Sequence, residues 1–152
     1  MIRHADIAVY DPDGKLQLVV SVKTKTGASQ KWVIQRRQKL LSHAVMPDAP
    51  YFLLALPDYF YLWMHASSAG EQAPPDYVIQ VTETLASYID DLSLSLNDVT
   101  EYDLEMLIAS WLEHLVNGEI EIDPHDEALT WLFDSGLFAA IQNGSVAIEA
   151  TV

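Results

Sequence analysis

The sequence predicts an α/β fold: a mixed β-sheet core with the element order β-β-α-β-β, followed by a mainly helical C-terminal part. Residues 15–23 largely alternate apolar with polar side chains, the period of two that is typical of strands, and a strand at 5–10 places Asp6, Ala8 and Tyr10 on one face and Ile7 and Val9 on the other. Residues 51–56 form an unbroken apolar run, which favours a strand covered on both faces. After residue 76, apolar residues recur at helical spacing instead.

The first two strands are expected to form a β-hairpin. Residues 11–14, Asp-Pro-Asp-Gly, supply turn chemistry, since proline fixes φ and glycine tolerates a positive φ. With a tight turn, Asp6 falls opposite about Val19 and lies one pleat from Ser21. Ser21 and Lys23 are two residues apart and therefore share a face of their strand.

A helix is expected after the hairpin, because Ser29 is a suitable N-cap for the segment that follows. Residues 57–58, Pro-Asp, then turn the strand at 51–56 into an aromatic segment, residues 59–64, which we expect to pair with it as a second hairpin. The expected apolar side of the helix consists of Val33, Ile34, Leu40 and Leu41.

The chain is predicted to be a single domain, residues 1–152, with two parts. Residues 1–65 are the α/β core, and residues 76–152 are an acidic helical extension that ends in a short strand at 146–151. Residues 66–75, rich in Ser, Gly, Ala and Pro, are expected to form a linker or exposed loop between them.

Three helices are predicted in the extension. The first begins at Asp76, and the second begins at Thr100, which resembles a capping box with Asp103. The third begins at Asp123, where the next residue is a proline at the first helical position, and Gly136 interrupts it. The first helix is expected to bury one stripe, formed by Val78, Val81, Leu85, Tyr88, Ile89 and Leu92.

Charge is distributed very unevenly along the chain. The formal net charge is −14, from 22 acidic and 8 basic residues. All eight basic residues lie in the first 39 positions, beside only three acids, so this segment carries a net charge of +5. It can therefore meet phosphates in spite of the total charge, although a solvated face that neutralises part of the acidic half is the alternative.

Several protein classes are excluded or disfavoured by composition. The chain has no cysteine, which excludes a disulfide framework and thiolate metal sites. No apolar run approaches the ~18 residues of a membrane span, and the N-terminal residues lack the pattern of a signal peptide. We expect a soluble, cytoplasmic protein without a membrane partner.

Asp6 and the tripeptide Ser21-Val22-Lys23 are the residues whose types and positions are best suited to metal binding and catalysis. Side chains at a diagonal separation across a hairpin, about 7–8 Å between Cα atoms, can converge on one ion. An aspartate, a second acid and a lysine so placed can hold Mg²⁺, orient a water molecule and stabilise charge on an attacked phosphate. Here Ser21 stands in place of the second acid.

This pattern resembles the PD-(D/E)xK nuclease superfamily, which has the restriction-endonuclease-like fold. The similarity covers about residues 5–64, and it is greatest to a bacterial, in particular cyanobacterial, branch in which the tripeptide is Glu-Val-Lys. The resemblance implies that Asp6 is a Mg²⁺ ligand and catalytic residue. It also implies that Lys23 is the catalytic cation and that Gln35, on the following helix, is a further catalytic residue.

Two features depart from the family pattern. Ser21 marks a degenerate position, since a neutral hydroxyl is a far weaker ligand for Mg²⁺ than a carboxylate. The helix that usually precedes the first core strand, often with a further Glu, is expected to be absent or to lie upstream of a shortened start. Both differences affect the metal site.

The resemblance implies a restriction-endonuclease-like protein of nucleic-acid metabolism, a Mg²⁺-dependent phosphodiester hydrolase with a degenerate metal site and weak or no activity. The alternative is a catalytically inactive nuclease fold that acts as a protein- or nucleic-acid-interaction module, and a third is a structural acidic partner unrelated to DNA. A protein partner or self-association is expected through the charge asymmetry. DNA is expected to contact Lys25, Lys31, Arg36 and Lys39.

Overall fold

A six-stranded mixed β-sheet with helices on both faces forms the structure. The computed structural model describes residues 4–42, 49–66, 69–86, 98–120 and 122–151. The strands are β1 (His4–Tyr10), β2 (Leu16–Val22), β3 (Tyr51–Ala55), β4 (Tyr59–Trp63), β5 (Tyr77–Gln80) and β6 (Ser145–Thr151). The helices are α1 (Gln30–Ser42), α2 (Val81–Thr84), α3 (Glu101–Val116), α4 (Thr130–Asp134) and α5 (Leu137–Ile141).

The sheet has the strand order β5-β4-β3-β2-β1-β6, so β5 and β6 are its edges. All neighbouring strands are antiparallel except β2 and β3, which are parallel. A parallel pair needs a crossover connection, and α1 lies in that connection. The predicted α/β class and the β-β-α-β-β order of the first part are therefore confirmed.

The first hairpin has a different register from the one predicted. Val19 pairs with Ala8 rather than Asp6, because the turn is longer than a tight one and a bulge follows Val9. Asp11 organises this turn through its side chain, which accepts hydrogen bonds from the Asp13 and Lys15 backbone N–H groups, both at 2.9 Å. The pairing of β1 with β2 is thereby shifted by two residues from the predicted one, and Asp6 lies nearer the open end of the hairpin than predicted.

One face of the sheet is covered by α1. The helix begins after Ser29, whose Oγ accepts a hydrogen bond from the Trp32 N–H at 3.1 Å, as the cap prediction requires. Val33 is fully buried against this face, whereas Leu41, expected on the apolar side, is 42% exposed. The sheet residues of this layer include Ala8, Val19, Phe52, Leu54, Tyr61 and Trp63.

The opposite face is covered by α3, α4 and α5. Thr100 caps α3, since its Oγ1 accepts a hydrogen bond from the Asp103 N–H at 3.1 Å, and this confirms the predicted helix start. Gly136 separates α4 from α5 with a φ of +80°, which also agrees with the predicted interruption. The sheet residues of this layer include Ile7, Val9, Leu18, Val20, Val22, Leu53 and Phe60.

Three predictions about the C-terminal part are wrong. Residues 77–80 form strand β5 against β4 instead of the first turn of a helix, because the alternation of exposed Val78 with buried Ile79 suits a sheet edge. The third helix begins at Thr130 rather than Asp123, since residues 123–129 form successive turns. The sheet has six strands, one more than the four of the predicted β-β-α-β-β core and the predicted strand at 146–151, because β5 joins it as well as β6.

Two further sequence-based expectations concern the first C-terminal helix and membrane-spanning segments. Tyr88, Ile89 and Leu92, predicted for the first C-terminal helix, lie outside the described residues. Among the helices that the structure describes, none combines the length and the apolar character needed to cross a bilayer.

Candidate metal site

Asp6 lies in β1 near the end of the sheet where β2 finishes. One oxygen of its carboxylate accepts a hydrogen bond from the Val22 N–H at 2.8 Å, so the side chain lies against the backbone of the Ser21-Val22-Lys23 tripeptide. Burial raises the pKa of Asp6, and the Val22 hydrogen bond opposes that rise. Glu149 and Glu101 also raise it, whereas the charge of Lys23 lowers it.

Glu105 is a buried acid on α3. It follows Leu104 on the side of the helix that packs on the sheet, and only 6% of its surface is exposed. The pKa of Glu105 is raised to about 7, first by burial and then by a hydrogen bond and the charge of Glu149. Asp6 adds to this rise. A carboxyl group in these surroundings therefore carries its proton far more readily than one in water.

Glu149 brings a third carboxylate from the edge strand β6. The strand pairs with β1 on both sides of this residue, through Ala150 with Ala5 and Ile148 with Ile7. Glu149 itself has a φ of +52°, in the left-handed region that an L-residue rarely occupies within a strand. The backbone is thus locally distorted at the residue that contacts Glu105.

The carboxylates of Asp6, Glu105 and Glu149 form one group, hereafter the acidic cluster. One oxygen of each lies within 4.8 Å of one oxygen of each of the others. Three oxygens at such separations can ligate a single hard dication, for which carboxylate oxygen is the preferred ligand in proteins. The donor set therefore fits Mg²⁺ or Mn²⁺, whose charge would relieve the repulsion among the three acids.

Lys23 follows the end of β2 and forms an ion pair with Glu101, at the start of α3. The Nζ atom is 3.5 Å from a Glu101 carboxylate oxygen, and the two side chains are 38% and 56% exposed. Such an exposed pair contributes little stability. Lys23 is still the basic residue whose charge acts on Asp6, so the structure brings these two predicted site residues together.

Ser21 is a buried residue of β2, the strand that ends just before Lys23. It is 5% exposed and pairs with Leu54 across the parallel β2–β3 ladder. The ladder keeps partners on one face, and Leu54 packs in the layer beneath α1. Ser21 therefore lies on the α1 side of the sheet. The acids that accompany Asp6 in the acidic cluster come from α3 and β6 instead.

Gln35 is exposed on α1 and lines a surface groove, hereafter the amide groove, on the outer side of that helix. The other residues of this groove lie on α1 or in the loop before β5 and do not belong to the acidic cluster. The catalytic role expected for Gln35 remains a prediction. The amide groove is lined by Gln30, Lys31, Ile34, Gln35, Gln38 and Gln72.

The basic residues predicted to contact DNA are distributed over α1 and the loop before it. Lys25 lies over the Trp32 ring, with Nζ 5.2 Å from the ring centroid, and Lys31 and Lys39 are exposed. Arg36 is partly buried, and its Nε has no hydrogen-bond partner among the described residues. These side chains remain candidates for phosphate contact.

Glu105 and Glu149 were not identified from the sequence. Glu105 carries a usable signal, because it is an acid at a position facing the core, between Leu104 and Ile108, in an otherwise apolar helix stripe. Glu149 has no comparable signal, since its approach depends on β6 pairing with β1.

No protein-family model, curated protein or solved structure matches this chain.

Proposed function

We propose that this chain is a restriction-endonuclease-like protein of nucleic-acid metabolism that hydrolyses phosphodiester bonds with the help of Mg²⁺. The observation that carries the proposal is the convergence of Asp6, Glu105 and Glu149 within 4.8 Å, beside the tripeptide that ends in Lys23. The resemblance suggested Asp6 and Lys23. The geometry adds the carboxylates that Ser21 does not supply.

The acidic cluster supports cation binding on physical grounds. Three carboxylates converge here, on the buried Glu105, the half-buried Asp6 and the exposed Glu149, and the burial of Glu105 leaves its repulsion from the other two less screened than in water. Either a proton or a cation removes that repulsion, and the raised pKa of Glu105, about 7, reflects the proton. A dication neutralises the group more completely and finds only oxygen ligands there.

Each residue of the site has a distinct part in this proposal. A bound Mg²⁺ ion supplies polarisation of a phosphate oxygen and activation of water. The Val22 N–H fixes the orientation of the Asp6 carboxylate, so that ligand is pre-positioned. Lys23 supplies a positive charge that can stabilise the charge developing on an attacked phosphate once it leaves Glu101.

Glu105 and Glu149 take the place of the missing second acid in this account. The family pattern locates that acid two residues before the lysine, where this chain has Ser21. It also commonly supplies a glutamate from a helix before the first strand, whereas here Glu105, a helix glutamate in the cluster with Asp6, lies on α3, much later in the chain. Metal binding can therefore survive the loss at position 21.

A plasmid-nicking assay with the full chain tests the proposal. We expect conversion of supercoiled plasmid to the open circle in Mg²⁺ or Mn²⁺ and none in EDTA. Asp6→Asn and Lys23→Ala should each lower the rate by at least about a hundredfold, because they remove a ligand and a charge-stabilising group. Glu113→Gln, an exposed acid on the same helix as Glu105, should leave the rate unchanged.

A catalytically inactive nuclease fold that serves as an interaction module is the second candidate. The observations that favour it are the neutral Ser21 and the engagement of Lys23 by Glu101 at 3.5 Å. In that case the protein binds nucleic acid or a protein partner but does not nick plasmid in either metal. Nicking that disappears in Asp6→Asn excludes this candidate.

A further inference from the structure

A second surface groove adjoins the amide groove on the α1 side of the sheet. This groove, hereafter the aromatic groove, includes the ring of Tyr59, which is partly exposed, and the side chain of Val78, which is 58% exposed. Gln30 lines both grooves, so they meet at the first residue of α1. The aromatic groove is lined by Ala28, Gln30, Tyr59, Tyr61, Pro75 and Val78.

The two grooves offer different kinds of contact. The amide groove contributes the side-chain amides of Gln30, Gln35 and Gln72, each with hydrogen-bond donors and an acceptor, together with the cation of Lys31. The aromatic groove contributes the partly exposed ring of Tyr59, which lies beside the buried ring of Tyr61, with centroids 6.3 Å apart and an angle of 42° between the ring planes. Planar rings of this kind are the groups on which nucleobases stack.

Charge on this side of the molecule also suits an anionic ligand. Helix α1 contains no acidic residue, and Lys31 and Lys39 extend from its exposed side. The nearest loops also contribute three acids, Asp58, Glu71 and Asp76, of which Asp58 accepts a hydrogen bond from the Gly27 N–H at 2.8 Å and Asp76 one from the Met64 N–H at 2.7 Å. The rest of the chain is acidic, so a polyanion is directed towards this helix.

We propose that the amide and aromatic grooves together bind a short segment of single-stranded nucleic acid. Phosphates contact Lys31 and Lys39, a base stacks on Tyr59, and glutamine amides reach base edges. An unpaired strand fits better than a duplex, because the faces of bases are accessible for stacking only when they are unpaired. An acidic peptide would use the lysines but has no need of the tyrosine rings.

The surface lies on the α1 face, whereas Glu105 of the acidic cluster belongs to the helix on the opposite face. Binding here therefore does not depend on hydrolysis at the acidic cluster. The test is accordingly made in EDTA, where the proposed hydrolysis cannot occur, so its result is independent of the nicking assay.

Fluorescence anisotropy with a labelled oligothymidylate of about 12 nucleotides measures the interaction, at about 50 to 200 mM NaCl. We expect saturable binding by the full chain that weakens with salt. Tyr59→Leu should weaken it about tenfold, the loss expected for one stacked base. Lys31→Ala should weaken it and also reduce the slope of log affinity against log salt by about 0.7, the value for one phosphate contact.

Matched controls separate this surface from general charge effects. Tyr102→Leu removes an exposed tyrosine, 68% exposed, on α3, and Lys15→Ala removes an exposed lysine in the first turn, so both should bind as the unaltered chain does. Each variant is first checked for an unchanged thermal midpoint, and Lys31→Ala, at an exposed position, remains usable if Tyr59→Leu does not fold.

The proposal is overturned by equal affinity for a duplex of the same length, by no binding at the lowest salt, or by equal losses in the test and control variants. It is equally overturned if an oligoglutamate competes as well as the oligothymidylate, because the site would then recognise charge alone. Preferential single-strand binding that is lost in Tyr59→Leu and Lys31→Ala supports it.

Discussion

Asp6 of β1 and Glu105 of α3 have carboxylate oxygens within 4.8 Å of each other, although they belong to the first strand and to a helix in the last third of the chain. The contact exists because α3 packs on the face of the sheet that contains Ile7 and Val20. Apolar burial thus drives two acids together that would repel each other in isolation. Such an arrangement opposes folding unless a proton or a cation is present.

The first prediction concerns stability in EDTA as a function of pH. The pKa of Glu105 is raised to about 7 from an ordinary 4.5, so the folded state binds more protons than the unfolded state between these values. The free energy of unfolding should therefore fall as pH rises from about 4.5 to 7, by on the order of 3 kcal/mol from this group. The raised pKa of Asp6 acts in the same direction.

Glu105→Gln isolates this contribution, because glutamine cannot ionise at this position. Relative to the unaltered chain, the variant should gain stability as pH rises, with urea denaturation at about pH 5 and pH 8 showing the difference. Glu113→Gln, an exposed acid on the same helix, should show little pH-dependent difference. A difference for Glu105→Gln that stays constant across this range contradicts the account.

The second prediction concerns Arg37, whose guanidinium is buried and 5.5 Å from the Trp63 ring centroid. It donates hydrogen bonds to the carbonyls of Gly70, Ala66 and Ala69, at 2.7, 3.2 and 3.4 Å. Arg37→Ala should lower the free energy of unfolding by about 3 kcal/mol, since it leaves these carbonyls without their donor.

Arg37→Lys should recover little of this loss, because an ammonium cannot reproduce the planar fork of donors. Lys39→Ala, on an exposed position of the same helix, is the control and should change stability by less than about 0.5 kcal/mol. Urea denaturation measures all three. Full recovery with lysine would show that the positive charge alone, rather than the three hydrogen bonds to Ala66, Ala69 and Gly70, accounts for the stabilisation.

The third prediction concerns the start of α3. The Thr100 hydroxyl caps the helix through the Asp103 N–H, and its removal in Thr100→Ala should lower the free energy of unfolding by about 1 kcal/mol. Thr100→Ser keeps the oxygen and should stay close to the unaltered chain. If alanine and serine behave alike in thermal or urea denaturation, the cap does not contribute as described.

Local patterns predicted much of the sheet but not the register of its first hairpin. The alternation in β1 and β2 was sufficient to identify both strands, and Asp11 was correctly placed in the turn. The bulge after Val9 has no sequence signal, and it moves Leu16 to the α1 face, away from Leu18, Val20 and Val22. The longer turn and this bulge together shifted the pairing by two residues, so that Val19 lies opposite Ala8 instead of Asp6.

Long-range pairing explains the remaining failures. Residues 77–80 have the apolar content of a short helix turn, and only their pairing with β4 makes them a strand. In the same way, Glu149 reaches the acidic cluster because β6 returns to the edge beside β1. The predicted hairpin already implies that Asp6 lies near the tripeptide ending in Lys23, whereas the approach of Glu105 and Glu149 depends on tertiary packing.

Calorimetric titration of Mn²⁺ into the metal-stripped chain, at about pH 8 where Glu105 is mostly ionised, tests the central claim most directly. We expect one bound ion per chain. Asp6→Asn and Glu105→Gln should each weaken binding at least about tenfold, while Glu113→Gln leaves it unchanged. Absence of Mn²⁺ binding, or binding that Asp6→Asn and Glu105→Gln do not alter, would contradict the assignment of the acidic cluster as a metal site.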